Sequence, residues 1–320
     1  MMAHLRVLAL AGGVGGAKLA AGLAHVLGER LTVLVNTGDD FEHLGLRISP
    51  DLDTVMYTLA GIANPETGWG IAGEHWTFMD QVEHLGGPTW LRLGDRDLAI
   101  HAVRTDRLNR GETLTAITAD LCRALGVRSA VLPMSDDRVR TIVHSGAQVL
   151  AFQDYFVRLK CAVPVSKLSF DGAASARFNT GLENLRQSAD PLAIVICPSN
   201  PYLSIDPILA LPGLREWIRS AGAAVVAVSP IVGGAAIKGP AAKIMRELGV
   251  EPSAVAVGRH YDGLIDGFVL DVVDADSAGE ISASGMAVRS RQTVMRVTED
   301  RINLARDCLA LVEDLLRREA

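Results

Sequence analysis

An apolar strand, a glycine-rich turn, a helix and a second apolar strand open the sequence, and no other feature limits the fold as strongly. The pattern predicts strands at Leu5 to Leu10 and Leu31 to Val35, with a helix from about Ala17 to Leu27 between them. Strands joined through helices lie parallel in one covered sheet, so we expect an α/β fold with a mostly parallel sheet. Further strands are predicted at Ala193 to Cys197 and Ala223 to Val228, and further helices at Leu214 to Ser220, Ala241 to Leu248 and Asp300 to Arg318.

Two middle segments depart from this alternation. Residues 64–126 are rich in glycine, tryptophan, histidine and charge, and helical patterns at Gly73 to His84 and Thr113 to Ala124 predict an inserted, mainly helical lobe. From Val131 to Phe170 apolar and polar residues alternate, which predicts a few antiparallel strands. No linker-like composition separates these parts, so we expect residues 1–320 to form a single α/β domain that includes the lobe.

Composition excludes several classes of protein. Lys and Arg number 31 against 37 Asp and Glu, and no basic stripe is present, so a nucleic acid polymer is not an expected partner. No run approaches the roughly 18 apolar residues needed to cross a bilayer, and we expect a cytoplasmic protein with no membrane partner. The four cysteines are far apart, which predicts neither a zinc site nor a disulfide framework.

The glycine-rich turn AGGVGGAK spans Ala11 to Lys18, between the first strand and its helix. Free backbone amides and the positive end of a helix suit this position to a phosphate or diphosphate. The motif matches neither a P-loop nor the dinucleotide-binding fingerprint, because alanine and leucine flank the lysine and the third glycine is missing. The alternative is a tight turn whose glycines only permit close packing.

Acidic residues follow the second strand in two groups, NTGDD from Asn36 to Asp40 and SPDLDT from Ser49 to Thr54. In an open α/β sheet, ligands bind at the carboxyl ends of the strands. Asp40, Asp51 and Asp53 are therefore candidate catalytic residues and candidate ligands of Mg²⁺, which prefers carboxylate oxygen. The second group also has the features of a helix start, with proline in the first turn, and both interpretations can hold together.

Two further polar clusters precede the middle of the chain. LGDRDLAIHAVR, from Leu93 to Arg104, has three- and four-residue spacings that would place Asp97, His101 and Arg104 on one helix face. A solvated ion-pair face explains that spacing equally well. PMSDDRVRT, from Pro133 to Thr141, is compatible with a capped turn or with a ligand contact.

Two proline-directed loops leave strands in the second half of the chain. CPSNPYLSIDPI runs from Cys197 to Ile208 and offers serine and asparagine groups able to bind a base or a sugar. VSPIVGGAAIKGPA runs from Val228 to Ala241, and its glycines and lysine suit a phosphate. Each loop is also explained as a turn that carries no ligand.

Together these motifs resemble the 2-phospho-L-lactate transferase family of coenzyme F-420 biosynthesis, which includes a phosphoenolpyruvate-using branch. The resemblance runs from about Leu5 to Leu270 and rests on AGGVGGAK, NTGDD, SPDLDT, LGDRDLA, LPMSDD, PSNPYLSIDPI, VSPIVGGAAIKGPA and GRHY, in this order. It implies a Rossmann-like α/β core with helices on both faces and an added lobe. The segment after Asp271 matches least, and we assign its helix to packing or to an oligomer interface.

The resemblance also implies a reaction and a set of small-molecule partners. A phosphorylated three-carbon acid would move from a guanosine diphosphate carrier to the deazaflavin alcohol Fo, with release of GMP, formation of (dehydro) coenzyme F-420-0 and participation of Mg²⁺. It implies metal at Asp40 and at the Asp51 and Asp53 motif, diphosphate at Gly12 to Lys18, and guanosine near Ser199 and Asn200. The candidate substrate- and nucleotide-binding residues are Gly12, Gly13, Gly15, Gly16, Lys18, Asn36, Asp95, Arg96, Asp97, His101, Ser135, Asp136, Ser199, Asn200, Ser204, Gly233, Gly234 and Lys238.

Several alternatives remain at this stage. Because phosphoryl transfer needs little covalent chemistry from the protein, we expect no enzyme nucleophile, and Asp53 or a metal-bound oxygen would accept the alcohol proton. The donor acid can be phospholactate, phosphoenolpyruvate or a phosphoglycerate, and a homodimer is expected. The glycine turn and nearby acids also fit an NAD(P)-dependent oxidoreductase, and a noncatalytic nucleotide-binding regulator can share the same fold.

Overall fold

The computed structural model describes residues 4–318, in which helices flank a central sheet. The strands are β1 (Arg6–Ala11), β2 (Leu31–Val35), β3 (Phe41–His43), β4 (Leu46–Ile48), β5 (Ala130–Pro133), β6 (Arg140–Ser145), β7 (Gln148–Ala151), β8 (Lys167–Asp171), β9 (Leu192–Ile196), β10 (Ala224–Val228), β11 (Ile231–Val232), β12 (Ala235–Ala236), β13 (Gly267–Asp271) and β14 (Ala287–Arg291). The helices are α1 (Gly13–Leu27), α2 (Pro50–Leu59), α3 (Thr77–His84), α4 (Asp95–Asn109), α5 (Leu114–Ala124), α6 (Gly181–Arg186), α7 (Asp206–Leu209), α8 (Leu214–Ser220), α9 (Ala241–Glu247), α10 (Ala254–His260), α11 (Ala278–Ser282) and α12 (Thr298–Arg318).

The central sheet has seven strands in the order β14-β13-β10-β9-β1-β2-β5, and each neighbouring pair is parallel. From β1 the chain proceeds outward to β2 and β5, and it later returns to the other side of β1 through β9. The connections therefore diverge on either side of β1, and such a switch point opens a crevice at the carboxyl ends of the strands. The predicted Rossmann-like, mostly parallel α/β sheet is confirmed.

The inner strands of the sheet are buried on both faces and are almost wholly apolar, whereas the edge strand β14 is only partly buried. Along β1, Val7 and Ala9 join the core on the side of α1 and α12, whereas Leu8 and Leu10 join the core on the opposite side. This alternation follows from the two-residue period of a strand. The predicted C-terminal helix is α12, and its apolar face packs against α1 and the sheet.

Three sequence predictions need correction. Helix α1 begins at Gly13 and not near Ala17, so the glycine-rich turn is itself the first turn of the helix. Strand β5 belongs to the central parallel sheet, and β6, β7 and β8 form a three-stranded antiparallel sheet; β3 with β4 and β11 with β12 form two smaller ones. Residues 64–126 contain three helices, α3, α4 and α5, whereas only the helices that correspond to α3 and α5 were predicted in this lobe. No helix within residues 4–318 is long and apolar enough to cross a membrane.

Candidate active site

A cavity of about 680 Å³ lies at the carboxyl ends of β1, β2, β9 and β10, where the fold predicts a ligand crevice. Its wall combines the first turn of α1, acidic residues that follow β2, residues of α4, and the loops after β9 and β10. The predicted site residues that line it are Gly12, Gly13, Gly15, Lys18, Asp51, Asp53, Asp97, His101, Ser199, Asn200, Ser204 and Lys238. The structure thus brings together motifs that lie more than 200 positions apart in the sequence.

The glycine turn meets the loop after β9 at very short range. The Gly12 amide donates to Ser199 Oγ at 3.1 Å, and the Gly13 amide donates to Asp51 Oδ1 at 2.7 Å. A Cβ atom on Gly15 would overlap the carbonyl oxygen of Pro198, and one on Gly12 would lie 2.7 Å from Ser204 Cβ. The glycines are required for this approach, which leaves later amides of the first turn for an anionic ligand.

Asp51 connects the start of α1 to the end of β2. Its Oδ2 accepts from Asn36 Nδ2 at 3.0 Å, while Oδ1 holds the Gly13 amide. Burial raises the pKa of Asp51 to about 6, against the lowering effect of these two hydrogen bonds. Asn36 therefore acts on the site through Asp51, which itself lines the cavity.

Asp39 and Asp40 occupy different positions although they are adjacent. Asp39 lines the cavity, and its Oδ1 is buried without a hydrogen-bond partner among residues 4–318. Burial and the charge of Asp51 hold the Asp39 pKa well above its ordinary value. Asp40 lies behind the wall, where its Oδ2 accepts from Ser49 Oγ at 2.8 Å, and burial raises its pKa to about 7 despite the opposing effect of Arg140.

Asp53 forms a buried ion pair with Arg104, which is wholly inaccessible to solvent. Arg104 Nη1 donates to Asp53 Oδ2 at 3.1 Å and Nη2 donates to Oδ1, so Asp53 already has a cation. Burial opposes charge on Arg104, yet Asp53 raises its pKa above the ordinary value. The predicted helix face of Asp97, His101 and Arg104 exists, but it faces the protein and the cavity and not solvent.

Lys18 and Lys238 supply positive charge at another part of the wall. Lys18 Nζ donates to the Met295 carbonyl at 2.8 Å, and Lys238 Nζ donates to the Thr67 carbonyl at 2.9 Å. Burial, together with the charges of Arg301 and Lys238, lowers the pKa of Lys18. Both lysines lie in the same cavity as the first turn of α1, so this part of the wall favours anions.

Nine predicted site residues lie outside the cavity wall. Asn36 and Asp40, described above, are two of them; the others are Gly16, Asp95, Arg96, Ser135, Asp136, Gly233 and Gly234. Asp95 accepts from the amides at the start of α3, and Ser135 and Asp136 bond to Arg177 and Thr115. These side chains organise turns, because their acceptors are satisfied by neighbouring backbone or hydroxyl groups. Gly233 and Gly234 form the tight turn between β11 and β12, where both have positive φ.

Sequence reasoning missed the apolar part of the wall and several polar residues, among them Tyr57. The apolar residues include Phe41, Leu91, Leu93, Phe152 and Phe156. They come from three separate segments of the chain and carry no motif, so only the tertiary fold unites them. Tyr57 also lines the cavity and was detectable, because it follows Asp53 by four residues on α2 and so shares its helix face.

Comparison with known proteins agrees with this geometry. Residues 7–315 match the family model described as 2-phospho-L-lactate transferase CofD. The chain is 43% identical to a phosphoenolpyruvate transferase of Streptomyces griseus, covering 97% of this chain and 99% of the relative, and 42% identical to that of Streptomyces coelicolor, covering 99% and 100%. A crystal structure of a UPF0052-family protein from Bacillus halodurans superposes with a TM-score of 0.61 at 16% identity, covering 95% of this chain and 98% of that one.

The fold, the cavity and these matches define a transferase with a Rossmann-like core. The chain belongs to the CofD family of 2-phospho-L-lactate transferases, whose model spans nearly all of it. The family assignment inferred from the eight motifs is confirmed, and the oxidoreductase and regulator alternatives are set aside.

Proposed function

We propose that the chain transfers a phosphorylated three-carbon acid from a guanosine diphosphate carrier to the hydroxyl of the deazaflavin alcohol Fo, releasing GMP and forming (dehydro) coenzyme F-420-0. The observation that supports it most is that one cavity combines a helix N-terminus with two lysines, a group of buried acids and an apolar wall. These three environments suit a diphosphate, a divalent cation and a ring system. Phosphoenolpyruvate is the favoured acid, because relatives about 40% identical are phosphoenolpyruvate transferases.

The donor would occupy the part of the cavity between the α1 start and the loop after β9. Amides of the first helical turn, with Lys18 and Lys238, would bind the diphosphate. Asn200 uses its Oδ1 to accept from the Tyr202 and Leu203 amides, and its buried Nδ2 has no partner among the described residues. Nδ2 can only donate, which favours the O6 carbonyl of guanine over the amino group of adenine.

The buried acids fit Mg²⁺ well. The Oδ1 atoms of Asp39 and Asp40 are buried without hydrogen-bond partners in the described part of the chain, and Asp51 lies against the cavity. Unpaired buried carboxylates are costly, and a hard cation with oxygen ligands would offset that cost. We propose Asp39 and Asp51 at the cavity wall, supported by Asp40, as the holders of the cation. Asp53 was predicted as a third ligand, but Arg104 already occupies both of its oxygens.

The stabilisation by Mg²⁺ is expected to rise with pH. Burial raises the pKa of Asp40 to about 7 and of Asp51 to about 6, so the folded protein without metal keeps protons there that the unfolded chain has lost. Stability without metal should therefore fall as pH rises from about 4 to about 7, where these acids must ionise in place. The cation binds the ionised form and should raise the melting temperature more at pH 8 than at pH 5.5. Calorimetry with and without Mg²⁺ measures this, and an equal shift at both pH values contradicts it.

In this reaction the protein mainly orients the two substrates and neutralises the charge of the diphosphate. The acceptor oxygen forms a bond to the phosphorus that carries the acid, and the bond from that phosphorus to the GMP oxygen breaks with its electron pair left on GMP. The hydroxyl proton passes to solvent. When bound, Mg²⁺ would neutralise charge on the phosphate oxygens. The amides of α1 and the two lysines hold the diphosphate, and the glycines keep side chains away from it. Asp53 is unsuited to accept the proton, since Arg104 holds it as an ion pair.

Product analysis tests the proposal directly. The protein is incubated with Fo, Mg²⁺ and the guanosine diphosphate derivative of phosphoenolpyruvate or of phospholactate, prepared with a guanylyltransferase. Mass spectrometry should detect (dehydro) coenzyme F-420-0 and an equal amount of GMP, with faster turnover of the phosphoenolpyruvate donor. The adenosine counterpart is the control for base selection and should react at least tenfold more slowly. If GMP forms without the deazaflavin product, the acceptor assignment is wrong.

A further inference from the structure

Tyr57, Asp97 and His101 form a polar cluster in the cavity wall that has no part in the proposed binding of the donor and the metal. The Tyr57 hydroxyl donates to Asp97 Oδ1 at 2.5 Å. His101 Nε2 lies 3.3 Å from the same oxygen, but the geometry of this contact does not meet that of a hydrogen bond. All three residues line the cavity, although Tyr57 and His101 are only about 1% exposed.

Arg104 fixes the orientation of this group. Its Nη1 lies 3.2 Å from His101 Nδ1, and a guanidinium can only donate. Nδ1 must therefore accept, which places the ring proton on Nε2, facing Asp97. Although burial acts to raise the pKa of Asp97, its contacts with His101 and Tyr57 and the charge of Arg104 hold the pKa below its ordinary value. The carboxylate is consequently ionised and anchored through Oδ1.

Oδ2 is the oxygen of Asp97 that remains for a ligand. The Tyr57 and His101 contacts both end at Oδ1, and the side chain keeps 9% exposure in a residue that lines the cavity. Asp53, Asp97 and His101 also lie close enough to share a metal ion. The Arg104 guanidinium already fills that position as a cation, so a neutral hydrogen-bond donor suits Oδ2 better than a second metal.

The surroundings of Asp97 indicate which donor. On the same helix, Leu98 packs with Ile48 and Leu93, and Phe41 and Leu91 lie against this cluster. Four of these five residues line the cavity, and only Leu98 does not. An anchored carboxylate beside an apolar wall suits a molecule with a flat apolar ring and an attached hydroxylated chain.

We infer that Asp97 Oδ2 accepts a hydrogen bond from a hydroxyl of the acceptor's polyol chain and so selects polyol-bearing rings, with Tyr57 as the positioning residue. The inference rests on the proposed function, because it takes the acceptor to be the deazaflavin alcohol. Asp97 is here a binding residue and needs no proton transfer of its own.

Binding measurements on four proteins test this: the wild type, Asp97→Ala, Tyr57→Phe and the control Asp106→Asn. Asp106 is on the same helix but pairs with Arg110 in solvent. The ligands are Fo and the same deazaflavin ring bearing a methyl group in place of the polyol, followed by ligand fluorescence. Asp97→Ala should weaken Fo binding about tenfold or more, as expected for a lost hydrogen bond to a charged group, and should leave the methyl ring within about twofold.

Tyr57→Phe keeps the volume of the ring and should weaken Fo binding by about threefold to tenfold, with KM for Fo affected more than kcat. Asp106→Asn should bind both ligands as the wild type does. If Asp97→Ala binds Fo as tightly as the wild type, or weakens both ligands equally, the role of Asp97 is overturned while the transferase proposal stands. If the wild type binds neither ring, the acceptor proposed above is wrong.

Discussion

Replacing Asp51 with asparagine is expected to lower turnover by about a hundredfold or more, the effect typical of deleting a preorganised electrostatic group. Asp51 lines the cavity and carries a charge beside the first turn of α1, and it also holds Asn36 Nδ2. The new amide keeps only one acceptor oxygen, so the contact with either Gly13 or Asn36 would be lost together with the charge. Turnover at saturating substrate and the Mg²⁺-dependent shift in melting temperature should both be measured on the same folded sample.

The neighbouring substitution Asp40→Asn is the informative control. Asp40 is also an aspartate and is buried to the same extent as Asp51. It lies behind the cavity wall, where it accepts a hydrogen bond from Ser49. It should lose much less activity than Asp51→Asn, about tenfold at most, if direct contact with the cavity decides the effect. Equal losses in the two variants would show that the total charge of the acidic group matters and that the position of Asp51 does not.

Replacing Arg104 with methionine is expected to destabilise the protein by about 3–5 kcal/mol, because it leaves a buried carboxylate without its partner. Arg104 is fully inaccessible, and Asp53 is nearly so. The double variant Arg104→Met with Asp53→Leu removes both charges and should recover most of that loss. Denaturant unfolding of the three proteins gives the comparison. A loss below about 1 kcal/mol for the single variant would mean that water reaches Asp53.

The sequence predicted the elements that carry strong periodicity. Strand β2 and helix α8 have the predicted bounds, and β1, β9 and β10 differ by a single residue at one or both ends. Strand β5 was wrongly predicted to be antiparallel. Its four residues directly precede the alternating segment, and so short a strand carries too little pattern to be distinguished from it. Strands β13 and β14 were not predicted. They follow the last predicted strand, and β14 lies in the segment after Asp271, where the resemblance to the family is weakest.

The residues that line the cavity were predictable where one continuous loop carries them, as in the glycine turn and the serine-asparagine loop after β9. It was not predictable where burial decides the role of a charge. The spacing of Asp97, His101 and Arg104 fits a solvated face as well as a buried one, and only the packing of α4 against β4 and α2 distinguishes them. Likewise, the choice between Asp39 and Asp40 depends on how the chain turns after β2, which no periodicity encodes.

The hydrogen bond between Gly12 and Ser199 spans 187 positions, and this has a consequence for how the protein is made. While the ribosome has released only the first half of the chain, β1 has β2 on one side and nothing on the other, since β9 has not yet emerged. This strand, which is buried from Val7 to Ala11 in the folded protein, then exposes an open edge, and such an edge is prone to association with other chains. The same separation means that no fragment ending before β9 can contain the cavity, so ligands can protect only the nearly complete chain.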